Sequence, residues 1–269
     1  MNKNRLSMFN IPNALTTLNM VSGILSVLLS LNGRLDWAPY PIFLGAIFDF
    51  LDGFAARLLK QQGELGKQLD SLADMITFGI APGVMMMVLL TQFPLPVIDY
   101  FAIQTTSVKI NYDYWLNNML TLQDLNFWPL TALLIPVFSM FRLAKFNLDT
   151  RQSESFIGLP TPANTLFFCV FPLVLFHPNY ASELQLNLIQ GLFKSSIIIP
   201  MIIVMSILLV SEIPLFSLKF KHFSWKGNKI RYVFLITCLL LILFTLYWSI
   251  GIIVILYLIL SVFENIYNL

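Results

Sequence analysis

The sequence predicts an all-α integral membrane protein with about eight transmembrane helices. Three observations predict it: an excess of apolar residues, a shortage of charge, and the grouping of the apolar residues into long runs. Hydrophobic residues make up 57% of the 269 positions and charged residues 11%, against about 45–50% and about 25% in an ordinary soluble domain. So few charges cannot cover a water-facing surface of this size. Lipid offers no hydrogen-bond partners, so a spanning segment must be a helix or part of a closed barrel. The runs lack the two-residue alternation of barrel strands, which leaves helices.

The first run, Pro12–Leu31, follows Lys3 and Arg5. It is longer than the apolar region of a signal peptide and lacks a small-residue cleavage site, so it reads as a span and not as a cleaved leader. The second and third are Pro39–Leu59 and Leu69–Gln92, the fourth Phe127–Phe146, and the fifth and sixth Pro162–Phe176 and Ser195–Val210. The last two, Tyr232–Tyr247 and Ile250–Val262, are separated by only Trp248 and Ser249 and read as a hairpin. The fifth and eighth are short for a hydrocarbon core about 30 Å thick, a mismatch that tilt or flanking polar residues absorb. The reading is a single membrane domain over 1–269, with a helical core at 12–210 and an added helix pair at 232–263.

Charge orients these spans. With the N-terminus in the cytoplasm, thirteen Lys and Arg residues fall on cytoplasmic segments and only Arg34, Lys109 and Lys194 on outer ones. That is the positive-inside bias, and it places both termini in the cytoplasm. The longest outer segment, 94–126, carries Asp99, Asp113 and Asp124 among aromatics and reads as a cap or interfacial turn. The basic run Lys219–Arg231 reads as a topology-setting cytoplasmic loop near anionic headgroups. A net charge of +2 gives no basis for nucleic acid binding. Cys169 and Cys238 lie in apolar runs and read as packing residues.

Four acids do not belong in such a background. Asp49 and Asp52 lie at the cytoplasmic end of the second run, Asp70 and Asp74 at that of the third. Ionisable residues in spans are costly and commonly functional. At about 100° per residue, Asp49, Asp52, Gly53 and Ala56 share one helix face, while Gly66, Asp70 and Asp74 follow at four-residue spacing. A connection over roughly 60–68 makes the two spans an antiparallel hairpin whose stripes can face each other. Converging carboxylates repel unless a cation compensates them. An oxygen-only set without His or Cys favours Mg²⁺, Mn²⁺ or Ca²⁺. Magnesium usually completes its shell with water or substrate phosphate, and Arg57 can neutralise phosphate charge. A carboxylate-lined divalent-cation transporter is the rival reading, although transporter sites usually lie near the bilayer midplane.

The residues Asp49, Asp52, Gly53, Ala56, Arg57, Gly66, Asp70 and Asp74 match the pattern D-x2-D-G-x2-A-R-x8-G-x3-D-x3-D. In this the chain resembles the CDP-alcohol phosphotransferase family. The segments IPNALTTLNMVSG, LDSLADMITFGIAPG, FRLAKFN and GLPTPAN are similar to its phosphatidylserine synthase branch. The resemblance implies a helical core of the family's type, with Asp49, Asp52 and Asp70 as metal ligands. It implies that Asp74 completes a two-metal site and acts as general base, and that Gly53, Ala56, Arg57 and Gly66 line the CDP-lipid site. The implied substrates are CDP-diacylglycerol and L-serine, giving phosphatidylserine and CMP at a bacterial inner or plasma membrane; a homodimer is also in keeping with it. Another acceptor, glycerol 3-phosphate or an inositol phosphate, is the alternative within the family. Arg142 and Lys145 are candidates for binding a phosphate or the acceptor's carboxylate, or they only set topology. Asn13 and Thr16 contact headgroup or acceptor, or they only cap the first helix.

Overall fold

A computed structural model of the chain describes residues 10–92, 105–123, 126–149, 156–176, 191–216 and 228–267. Of the charges used above, Lys3, Arg5, Asp99, Asp124, Arg151, Lys219, Lys221 and Lys226 lie outside the described residues.

Helix α1 (Ile11–Leu31) starts where its sequence says it should: the Asn10 side chain accepts the Asn13 amide at 2.8 Å, and Pro12 sits in the first turn, where its missing donor costs nothing. Its amphipathicity is inverted. The buried face is small and polar, with Asn13, Thr16, Asn19, Ser22, Gly23, Ser26 and Ser30, while Leu18, Val21, Ile24, Leu25 and Leu28 are exposed. That is the pattern of a helix in lipid, where small residues allow close approach and polar side chains bond across helices. Gly33 takes a left-handed φ of 74° and reverses the chain into α2 (Pro39–Leu58). The Ser26 hydroxyl donates to the Ala38 carbonyl at 2.7 Å, tying α1 to the start of its neighbour.

The third span is one long helix in three parts: α3 (Glu64–Asp74), a π-helical turn (Met75–Ile80) and α4 (Ala81–Leu90). Pro82 accounts for the turn. It has no amide proton to give the carbonyl four residues earlier, which is that of Phe78, and the hydroxyl of Thr165 donates there at 2.7 Å. The widened turn bears directly on the acids, because it begins at the residue after Asp74.

The outer segment expected as a cap or interfacial turn between spans three and four contains a helix, α5 (Thr105–Thr121). Val108, Tyr112 and Trp115 fall on its buried face, and the Trp115 indole donates to the Asn126 carbonyl at 2.8 Å. Gln92 ties it to the end of α4 by donating to Val108 O at 3.3 Å and accepting from Asn111 at 3.0 Å. Its mixed polarity hides it from a search for long apolar runs.

A 3₁₀ turn (Trp128–Leu133) leads into α6 (Leu134–Leu148), followed by α7 (Thr161–Phe176) and α8 (Ser195–Val210). Two-residue strands, β1 (Phe156–Ile157) before α7 and β2 (Pro214–Leu215) after α8, pair antiparallel. Helices α9 (Lys229–Thr245) and α10 (Tyr247–Tyr267) form the expected hairpin. Its break falls at Leu246, with φ 44°, two residues before the expected turn at Trp248.

Four described helical stretches are long and apolar enough to cross a bilayer: Ile11–Leu31, Glu64–Leu90, Trp128–Leu148 and Tyr247–Ile266. Two shorter apolar helices, Thr161–Phe176 and Ser195–Val210, accompany them. Helix α7 is the hub, with Phe168, Cys169, Leu173 and Val174 completely buried. The outward faces stay apolar, with Phe50, Leu72 and Phe244 largely exposed; so extensive an apolar exterior marks a membrane surface. The protein is an all-helical integral membrane protein.

Candidate active site

The acids are brought together by α1, α2 and α3. Helix α2 ends in a Schellman turn: Lys60 is left-handed at φ 53°, its amide donates to Arg57 O at 3.3 Å, and the Gln61 amide donates to Ala56 O at 2.9 Å. Such a turn satisfies the last carbonyls of a helix and reverses the chain. Helix α3 then begins at Glu64, five residues before the apolar run at Leu69. The sequence reading missed this first turn because ELGKQ is polar; Glu64 also suits a helix N-terminus, where negative charge is favoured. Starting there places Gly66, Asp70 and Asp74 on one continuous helical face.

Oxygens of Asp49, Asp70 and Asp74 lie within 4.8 Å of one another, each residue half-buried. Asp70 Oδ1 is buried with no hydrogen-bond partner among the described residues. An orphaned carboxylate oxygen in an all-oxygen cluster is what a hard divalent cation satisfies, so the donor set fits a metal ion. Asp52 adjoins this triad but is outside the set whose oxygens meet within 4.8 Å. It is buried, and its Oδ2 accepts the Thr16 hydroxyl at 2.5 Å.

Beside the triad lies a cavity of about 480 Å³. Its walls include Asp52, Gly53, Ala56, Arg57, Gly66 and Asp70 of the sequence pattern, with Asn13 and Thr16 from α1. Asp70 therefore belongs to both the metal-competent cluster and the cavity. Gly66 faces Asn13, whose Oδ1 would stand 3.5 Å from a side chain there, and Arg57 Nη1 would stand 4.0 Å from one at Gly53. Gln61, Gln62, Glu64 and Lys67 also line the cavity and were not singled out in the sequence, because a short polar connection carries no spacing signal. Lys67 donates to the Asn147 carbonyl at 3.2 Å, and Asn147 donates to Ser71 at 2.8 Å, which fastens α3 to the end of α6.

Asn19 was also missed. It is fully buried and donates to Asp74 Oδ1 at 3.1 Å. The three-residue spacing Asn13, Thr16, Asn19 on α1 was the available signal.

Arg142 and Lys145 do not line the cavity. Arg142 is buried, donates from Nε to the Leu159 carbonyl at 3.3 Å, and lies 5.1 Å from the centre of the Phe146 ring. Lys145 forms an ion pair with Glu212. Both fasten α6 to the segments flanking α7 and α8. The adjacent Gly158, φ 76°, packs so tightly that a side chain would stand 2.7 Å from Ser211 O.

An acidic cluster able to hold a divalent ion, next to a cavity at the end of spanning helices, is an arrangement suited to phosphate chemistry at a membrane. The family model of the CDP-alcohol phosphatidyltransferases matches residues 9–209. An archaetidylserine synthase of Methanothermobacter thermautotrophicus is 31% identical over 206 residues, 74% of each chain. A CDP-diacylglycerol–serine O-phosphatidyltransferase of Bacillus subtilis is 32% identical over 152 residues, 56% of this chain and 69% of that protein. One of the same name from Helicobacter pylori is 30% identical over 154 residues, 56% of this chain and 52% of that protein. The chain belongs to the CDP-alcohol phosphatidyltransferase family.

Proposed function

We propose that this protein transfers the phosphatidyl group of CDP-diacylglycerol to L-serine, producing phosphatidylserine and CMP. The observation that carries the reading is the placement of a cavity of about 480 Å³ against three carboxylates whose oxygens lie within 4.8 Å. The serine-linked names of the relatives support serine as the acceptor.

In this reading Asp49, Asp70 and Asp74 hold divalent metal with Asp52 at the cavity wall, and two ions of Mg²⁺ or Mn²⁺ suit the four acids, Ca²⁺ also being admissible. Bound metal supplies charge neutralisation at the diphosphate and at the departing oxygen. The chain's own groups do the rest. Arg57 and Lys67, cationic residues on the cavity wall, face the donor's diphosphate. Gly53, Ala56 and Gly66 leave room for the nucleotide against the helix backbones. Asp74 takes the serine hydroxyl proton, because that hydroxyl is a weak nucleophile at neutral pH. The serine oxygen forms a bond to the phosphorus bearing diacylglycerol. The bond from that phosphorus to the bridging oxygen breaks, its electron pair leaving with CMP. Direct attack inverts the phosphorus. The bias of positive charge supports an active site and both termini on the cytoplasmic side, with the acyl chains entering from that leaflet.

Purified protein in lipid-detergent micelles should release CMP from CDP-diacylglycerol when serine and Mg²⁺ or Mn²⁺ are supplied, and should stop on chelation. CMP release that follows glycerol 3-phosphate or an inositol phosphate and ignores serine would overturn the acceptor. Metal flux into liposomes with no CMP release from any alcohol would overturn the enzymatic reading.

A further inference from the structure

We infer that Asn19, together with Thr77, positions the Asp74 carboxylate for proton removal; this role rests on the phosphatidyl-transfer reading above. Asp74 is the last residue of α3, and the π-helical turn begins immediately after it. A turn of that kind is wider and less regular than α-helix, so the helix alone does not settle where the carboxylate points. Contacts from α1 supply the missing constraint.

Asn19 donates from Nδ2 to Asp74 Oδ1 at 3.1 Å, and its own backbone carbonyl accepts the Thr77 hydroxyl at 2.8 Å. One α1 residue therefore grips the widened helix on both sides of its starting point. Both Asn19 and Thr77 are completely buried, so water does not compete for either bond. The grip requires close approach. A side chain at Gly23 would stand 2.7 Å from Thr77 Cα, and one at Gly45 would stand 2.7 Å from Thr77 Cγ2 and 3.0 Å from Asn19 Oδ1. Thr77 is wedged between two glycines, one on α1 and one on α2, and Asn19 lies in the same contact.

A donor on one oxygen fixes the rotation of a carboxylate about its Cβ–Cγ bond. Asp74 must both join the cluster with Asp49 and Asp70 and reach the acceptor hydroxyl, so freedom about that bond lowers the fraction of competent encounters. Asn19 does not line the cavity; it acts through Asp74, as a positioning residue.

The test compares Asn19→Leu, which keeps the volume and removes the donor, with the unaltered protein under saturating metal. The expected result is a fall in kcat of about ten- to hundred-fold, the range for a hydrogen bond to a charged group. KM for CDP-diacylglycerol and serine should stay within about two-fold, since the interaction is not one of substrate binding. Thr77→Val should lower kcat less, as it removes only the outer bond of the pair. If Asn19→Leu does not purify folded, Asn19→Ala carries the same expectation. An unchanged kcat, or a loss accounted for by weaker CDP-diacylglycerol binding, would overturn the role of Asn19 and leave the proposed reaction standing. Absence of CMP release by the unaltered protein would overturn the reaction and this role with it.

Discussion

The Thr16 hydroxyl and Asp52 Oδ2 meet at 2.5 Å across the α1–α2 interface, both buried and both on the cavity wall. A hydrogen bond to a buried carboxylate holds its charged form in place. Of the two readings of Thr16, the structure gives the cap to Asn10, and Thr16 holds an acid at the cavity wall. Thr16→Val keeps the shape and removes the donor. It should raise the metal concentration for half-maximal CMP release by about ten-fold, the effect of losing one bond to a charged group, whereas Thr16→Ser should stay near the unaltered protein. A metal titration of activity decides between them.

Asp74→Asn removes the proposed base without changing size. Loss of general-base catalysis lowers turnover by about 10²–10⁴, while CDP-diacylglycerol binding, measured by equilibrium titration, should remain within a few-fold of the unaltered protein. Binding survives because the cavity wall is built from Asp52, Arg57, Gly66, Asp70 and their neighbours, not from Asp74. Near-normal turnover in this variant would take Asp74 out of the base role.

Asp49→Asn and Asp70→Asn should fail differently. Each leaves two members of a cluster whose oxygens lie within 4.8 Å, so metal affinity should drop by roughly ten-fold or more. Excess Mn²⁺ should restore part of the activity, which it should not do for Asp74→Asn. Asp70→Asn should show the larger deficit of the two, because Asp70 also lines the cavity proposed to take the donor. Metal titrations of CMP release that coincide with the unaltered protein would remove the ligand roles.

The acids were legible in the sequence because carboxylates in a span are expensive and these fall at helical spacing. Their supports were not. Asn19 looks like one more polar residue on a helix full of them, and only the packing of α1 on the widened helix turns it toward Asp74. The π turn follows from Pro82, yet the compensating donor, Thr165, lies on α7 and no local pattern points to it. The beginning of α3 and the whole of α5 escaped for one reason: both are polar enough to fall outside a search for apolar runs, though α3 is amphipathic and α5 buries Val108, Tyr112 and Trp115. Gln61, Gln62 and Lys67 reach the cavity because of the Schellman turn at Lys60, whose left-handed residue is not the glycine that usually announces such a turn.

Close packing at Thr77 sets the last expectation. A methyl group at Gly23 would stand 2.7 Å from Thr77 Cα and 2.9 Å from its backbone nitrogen. Backbone cannot rotate away as a flexible side chain can, so Gly23→Ala must push α1 off the π-helical turn. Overpacking of this kind costs about 1–3 kcal/mol, and here it also separates Asn19 from Asp74. The variant should melt several degrees below the unaltered protein in detergent and lose turnover beyond what its folded fraction explains. Gly191→Ala, where nothing lies within 4 Å of the added carbon, is the control and should leave both quantities unchanged. Equal melting and equal turnover for Gly23→Ala would mean that the contact between α1 and the turn is looser than its geometry states.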